Sequence, residues 1–143
     1  MLGMPTASDV IVREIGAGRL NKYEKQIIYN TIGAHWNSVG LDKVKKGQTS
    51  LGKTFITRND LYNPEFNILV GSMLLGQLMD EFAEGDKTRL DKLAVVYNKG
   101  RYGDIGKTAI KHQGSTDSLI EKVPQASRYI KKLVGKNGLL EVL

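Results

Sequence analysis

The segment Asn63-Pro64-Glu65 and the apolar run behind it constrain the fold more than any other part of the chain. It places an N-cap residue, a proline at the first helical position and an acid at the positive end of a helix, so a helix starts there. Phe66, Leu69, Val70, Met73, Leu74, Met79 and Phe82 continue it on nearly all faces. That pattern predicts a central, largely buried helix, with Met73 and Met79 as core filler and Gly85 beyond its end.

The remaining segments read as helices too. Ser8-Asp9 caps a short helix carrying Val10, Ile11, Val12 and Glu14, halted by Gly16 and Gly18. Asn21 caps a second, in which Tyr23, Ile27, Ile28, Thr31, Ile32, His35 and Val39 recur at threes and fours up to Gly40. Lys43 to Asn59 is polar, glycine-bearing and without period, which predicts a long loop with one helical turn. Lys87 to Asn98, with Leu90, Leu93, Ala94 and Tyr97 on one face, forms a further helix closed by Gly100. Ile105 to Gln113 and Gln125 to Val134 complete the set, stopped by Gly114 and Gly135. No run alternates with period two over a strand's length. The expected class is all-α, in a single domain over residues 1-143.

A chain of 143 residues buries roughly 70% of the surface its unfolded form exposes, so it needs no staple. With no cysteine, disulfides, thiolate zinc sites and cysteine nucleophiles are excluded. His35 and His112 are far apart and offer no ligand spacing, so neither a metal nor an organic cofactor is expected. The longest apolar stretch, Ile68 to Leu75, is broken by Gly71 and Ser72 and falls far short of the about 20 residues of a membrane span. Met1 to Val10 has neither the basic nor the apolar region of a secretory signal. The expectation is synthesis in the cytosol, or excision from a longer protein. The net charge of +6 favours anionic partners, whether nucleic acid, a membrane surface or the bacterial wall.

Gly47 to Thr54 satisfies the letters of a phosphate-binding P-loop, but Leu41 to Lys46 is charged where a buried strand should precede it. We read the match as accidental. His35 and Trp36 read as packing residues, and Lys43, Lys45 and Lys46 as a basic loop.

Leu61, Pro64, Asn67-Ile68, Gly71, Leu75 and Leu78, followed by Ala94, Tyr97-Asn98 and Gly100, are arranged as in the second half of a known family. The segment from Leu61 to Val134 resembles the soluble lytic transglycosylases, including a closing helix in which Tyr129 follows Pro124 by a few residues. The resemblance implies a goose-lysozyme-like helical domain that binds peptidoglycan glycan strands and cleaves between N-acetylmuramic acid and N-acetylglucosamine. It also implies a single glutamate acting first as acid and then as base, while the sugar's 6-hydroxyl closes a 1,6-anhydro ring. Tyr97, Asn98 and Tyr129 would then be substrate-binding residues.

The first half departs from the family pattern. Neither its Glu-Ser motif nor its Gly-Leu-Met-Gln segment is written in full. Gly47-Gln48 stands as a remnant of the second, which makes Gln48 a candidate groove residue. Between Glu24 and Glu65 there is no glutamate, so the catalytic one is Glu14 or Glu24. Spacing does not decide between them. Context favours Glu14, at the end of an apolar run before Ile-Gly-Ala-Gly, where Val10, Ile11, Val12 and Ile15 supply a desolvated setting. Glu24 stands between lysines near a helix start, the ordinary place for a solvated acid.

The expected activity is therefore that of a lytic transglycosylase at the cell wall or periplasm, brought there by a phage or a secretion machine. Two other readings stand beside it. A peptidoglycan-binding or structural relative without catalysis would keep the same glycan contacts. The other is a basic helical nucleic-acid binder, but the chain lacks the aromatic interleaving or basic recognition helix such a protein uses, so no nucleic-acid partner is expected.

Overall fold

A computed structural model describes residues 3–33 and 35–134. Among them the chain is helical almost throughout: α1 (Met4–Gly16), α2 (Lys22–Ile32), α3 (His35–Ser38), α4 (Arg58–Tyr62), α5 (Pro64–Glu81), α6 (Leu90–Lys99), α7 (Asp104–Lys111), α8 (Thr116–Lys122) and α9 (Ser127–Val134). The strands β1 (Ala83–Glu84) and β2 (Lys87–Thr88) pair antiparallel around Gly85, which has a positive φ of 64°. The chain divides into two compact units, the boundary falling within α5 after Gly76.

In the N-terminal unit, α1 starts earlier than its sequence signals suggest. Gly3 is the N-cap and Pro5 sits in the first turn, so Ser8 lies inside the helix. Its hydroxyl donates to the Met4 carbonyl at 2.9 Å. The same oxygen accepts from the Phe55 and Ile56 amides at 3.1 and 3.2 Å, fastening the long loop to the helix. Asp9 adds a second tie, accepting from the Ser50 hydroxyl at 2.7 Å.

Asn21 caps α2 as its sequence predicts, in a reciprocal capping box with Glu24. The helix stops at Gly33, whose φ is 51°, instead of running on to Val39. His35 and Trp36 thus belong to the separate short α3. Trp36 is buried against Tyr29, ring centroids 5.8 Å apart, with the Lys25 ammonium over its face.

Asn63 caps α5, its side-chain oxygen accepting from the Glu65 and Phe66 amides. The Asn67 amide group donates to the Leu61 carbonyl at 2.9 Å and so ties α5 to α4. One face of α5 is buried, through Phe66, Val70, Met73, Leu74, Gln77 and Leu78. Met79 is exposed, as are Ile68 and Leu75, so the expected burial on nearly all faces does not hold. Apolar composition alone cannot say which side of an apolar helix is covered.

In the C-terminal unit α6 packs against α7 and α9 around Val95, Ala109, Leu119, Val123, Ala126 and Ile130. Gly106 is needed here, because a Cβ on it would overlap the Gly100 carbonyl. The sequence pattern misses α8, whose seven residues start at a Ser115 cap, since only Leu119 is buried and no period develops. Gly135, expected to stop α9, lies outside the described residues.

Candidate active site

Glu14 lies in the last turn of α1, and its position follows from how that helix ends. Gly18 takes a φ of 68°, the Gly18 amide donates to the Ile15 carbonyl and the Arg19 amide donates to the Glu14 carbonyl. This is a Schellman closure, which needs glycine at its left-handed position and reverses the chain over the last turn. The reversal returns Arg19 to Glu14. The arginine Nη2 donates to Oε1 at 3.0 Å and Nε to Oε2 at 3.2 Å. Glu14 is 8% exposed, whereas the Arg19 side chain keeps 45% of its surface. The Glu14 side chain is therefore buried, with a guanidinium across both carboxylate oxygens.

The loop after α2 meets the same helix end. The Gly47 amide donates to the Gly16 carbonyl at 2.8 Å, and a Cβ on Gly16 would overlap the Gln48 carbonyl. The two sequence candidates Glu14 and Gln48 thus belong to neighbouring backbone. The Gln48 side chain is used locally, accepting from the Lys45 amide at 3.0 Å and donating to the Ser50 carbonyl at 3.1 Å. Glu24 has a different task, its Oε1 accepting from the Asn21 amide at 3.1 Å in the capping box.

The P-loop letters sit in this loop. Among the described residues no strand precedes Gly47, and the next helix after Thr54 begins only at Arg58. The strand-loop-helix frame that gives those letters a phosphate site is missing.

Tyr97, Asn98 and Tyr129 belong to the C-terminal unit. Tyr97 is 44% exposed near the end of α6, not packed in the core as an aromatic on an apolar helical face would be by default. Asn98 is exposed, and its amide group donates to the Ala94 carbonyl at 2.9 Å. The Lys99 ammonium lies 5.2 Å from the centre of the Tyr129 ring, bringing the end of α6 to α9. Arg101, just beyond α6, donates to Glu81 of α5 at 2.8 Å.

Sequence reasoning misses Arg19 as the partner of Glu14. The available signal is the Gly-Ala-Gly turn between them, which returns the chain over one helical turn. It also misses a charged cluster on α6. Asp91, 3% exposed, accepts from Arg89 Nε and Nη2 at 3.0 and 2.8 Å and from the Thr116 hydroxyl at 3.2 Å. Burial by itself pushes the Asp91 carboxyl up, but the bonds from Arg89, the Lys92 amide and Thr116 together outweigh it and hold the group below the usual carboxylate range.

Among the described residues no group of histidines and acids could hold a metal ion, and no helix is long and apolar enough to cross a membrane. Comparison with family models, with curated proteins and with solved structures gives no match.

Proposed function

We propose that the chain is a lytic transglycosylase that cleaves the bond between N-acetylmuramic acid and N-acetylglucosamine in peptidoglycan, with Glu14 as its acid and base. The observation that carries this reading is the buried Glu14 carboxylate at a glycine-closed helix end, with Gly47-Gln48 against that end. The chemistry needs a proton for the leaving glycosidic oxygen and a group to take one from the attacking hydroxyl. One carboxylate performs both in sequence. Glu14 gives its proton to the leaving oxygen, then accepts the proton of the muramic 6-hydroxyl as that oxygen attacks the anomeric carbon. The ring that forms is 1,6-anhydro, and no water is consumed. Arg19 must leave the carboxylate before the first step, and its half-exposed side chain has room to do so. Tyr97, Asn98 and Tyr129, all in the C-terminal unit, keep the substrate-binding role that the resemblance implies for them.

The Arg19 clamp also favours a second reading, a peptidoglycan-binding relative without catalysis, because a carboxylate held at both oxygens has a structural role already. Mass spectrometry of digested sacculi separates the two. Transglycosylation releases muropeptides about 18 Da lighter than hydrolysis products, one water per cleavage. Binding to sacculi with no released muropeptide would establish the second reading, and reducing-end muramic acid would mean that water attacks.

A further inference from the structure

The C-terminal unit holds a cleft of about 680 Å³ bordered by the β hairpin, the start of α6 and the end of α7. Its polar lining includes Arg89, Lys92, Lys111, His112 and the single carboxylate Glu84. We propose that this cleft is a binding site for a small oxyanion, a phosphate or carboxylate group, with the Lys92 ammonium as its main contact.

Lys92 carries the argument. It is only 9% exposed, and among the described residues its ammonium has the Ile110 carbonyl, at 3.3 Å, as its hydrogen-bond partner and no carboxylate in ion-pair reach. That carbonyl belongs to the last turn of α7, where the helix dipole contributes about half a negative charge. A full positive charge with half a charge opposite it and two N–H groups to spare is an expensive thing to bury. An anion in the cleft completes it.

The other cations divide by whether they are already taken. Arg89 is committed to Asp91 through two bonds, and its third, to Glu84 at 3.2 Å, is a surface pair with a carboxylate 61% exposed. Lys111 is exposed beside the cleft. His112 adds an Nε2 that is buried and has no hydrogen-bond partner, next to Gly114, where a Cβ would stand 3.1 Å from it. A buried lysine bonded to one carbonyl and a buried imidazole nitrogen without a partner line the same cleft, and native proteins keep few unpartnered buried polar atoms without a ligand or water. The proposal does not depend on Glu14 or on any activity toward glycans.

The test is a titration of the folded chain with sodium phosphate and, separately, sodium acetate at constant pH, against sodium chloride of equal ionic strength. The readout is the His112 ring resonances and the Lys111 backbone amide. A saturable shift with phosphate alone assigns a phosphoryl group, with acetate alone a carboxylate, and either supports the site. Lys92→Met should weaken the binding by at least about tenfold, the usual result of removing one side of a buried charge contact. Lys111→Gln, on the surface, should weaken it a few-fold and provides the check if Lys92→Met does not fold. Shifts no larger than those with chloride, or titrations unchanged in the variants, would overturn the proposal.

Discussion

Arg19 closes over Glu14 through its backbone and its side chain together: the amide donates to the Glu14 carbonyl at 3.1 Å while the guanidinium spans the carboxylate. The same chain reversal that ends α1 therefore sets the state of the residue proposed to do the chemistry. Removing the guanidinium without removing the turn is a direct probe. Arg19→Gln should raise the initial rate of sacculus solubilisation several-fold, because Glu14 no longer has to shed a bidentate partner before it meets the glycosidic oxygen. An unchanged rate in an active enzyme would show that opening the clamp costs nothing in the catalytic cycle.

The two glutamates should separate by what they lose. Glu14→Gln should reduce solubilisation by orders of magnitude with little change in circular dichroism, because an amide cannot deliver the proton. Glu24→Gln should keep the activity and lose up to about 1 kcal/mol of stability, since the amide oxygen still reaches the Asn21 amide but no longer carries charge at the helix start. Activity lost in Glu24→Gln and kept in Glu14→Gln would move the catalytic role to Glu24.

The loop between α3 and α4 depends on Ser8. Replacing it with alanine leaves the Phe55 and Ile56 amides without the oxygen that both now use, at a cost of about 2–3 kcal/mol. Urea denaturation should show that loss. Hydrogen exchange should show faster exchange at those two amides, and no such acceleration would mean that the loop is held elsewhere.

Gly16→Ala tests the contact between the Glu14 helix end and the loop. The added methyl would overlap the Gln48 carbonyl, a backbone atom that cannot rotate away, so about 1–3 kcal/mol of destabilisation is expected. Amide shifts at Gly47 and Gln48 on substitution are the corresponding signature in solution.

Acid should weaken the C-terminal unit through Asp91. Its carboxyl is held below the ordinary value in the folded chain, so the native state binds its proton less readily than the unfolded state. The stability this contributes is fully present above the unfolded value of about 3.9 and is lost as the pH falls through the lower, folded value. Arg89, raised mainly by its hydrogen bond to Asp91, stays charged over this whole range. Asp91→Asn should therefore be less stable than the parent at neutral pH, and the difference should shrink below about pH 4. A difference independent of pH would assign the loss to packing.

Features settled by a few adjacent residues were readable from the chain alone. The Asn21 cap needs only Glu24 three positions on, and the α5 start needs only Asn63 and Pro64, because each is a bond between a side chain and backbone within one turn. The all-α class follows from the same local patterns, and so does the glycine turn after Glu14. Other features turned on what lies across from a residue. Met79 and Tyr97 have the composition and spacing of core residues, yet both are exposed, because nothing in a helical pattern records whether a neighbour covers that face. Gly33 broke a regular apolar repeat by taking a left-handed φ that other residues avoid. The loop position of Gln48, the double use of the Ser8 oxygen and the bond from the buried Lys92 to the Ile110 carbonyl all rest on partners distant in sequence or brought in by another helix. Sequence periodicity carries the helices; only tertiary packing determines which of their polar atoms are buried and what they meet there.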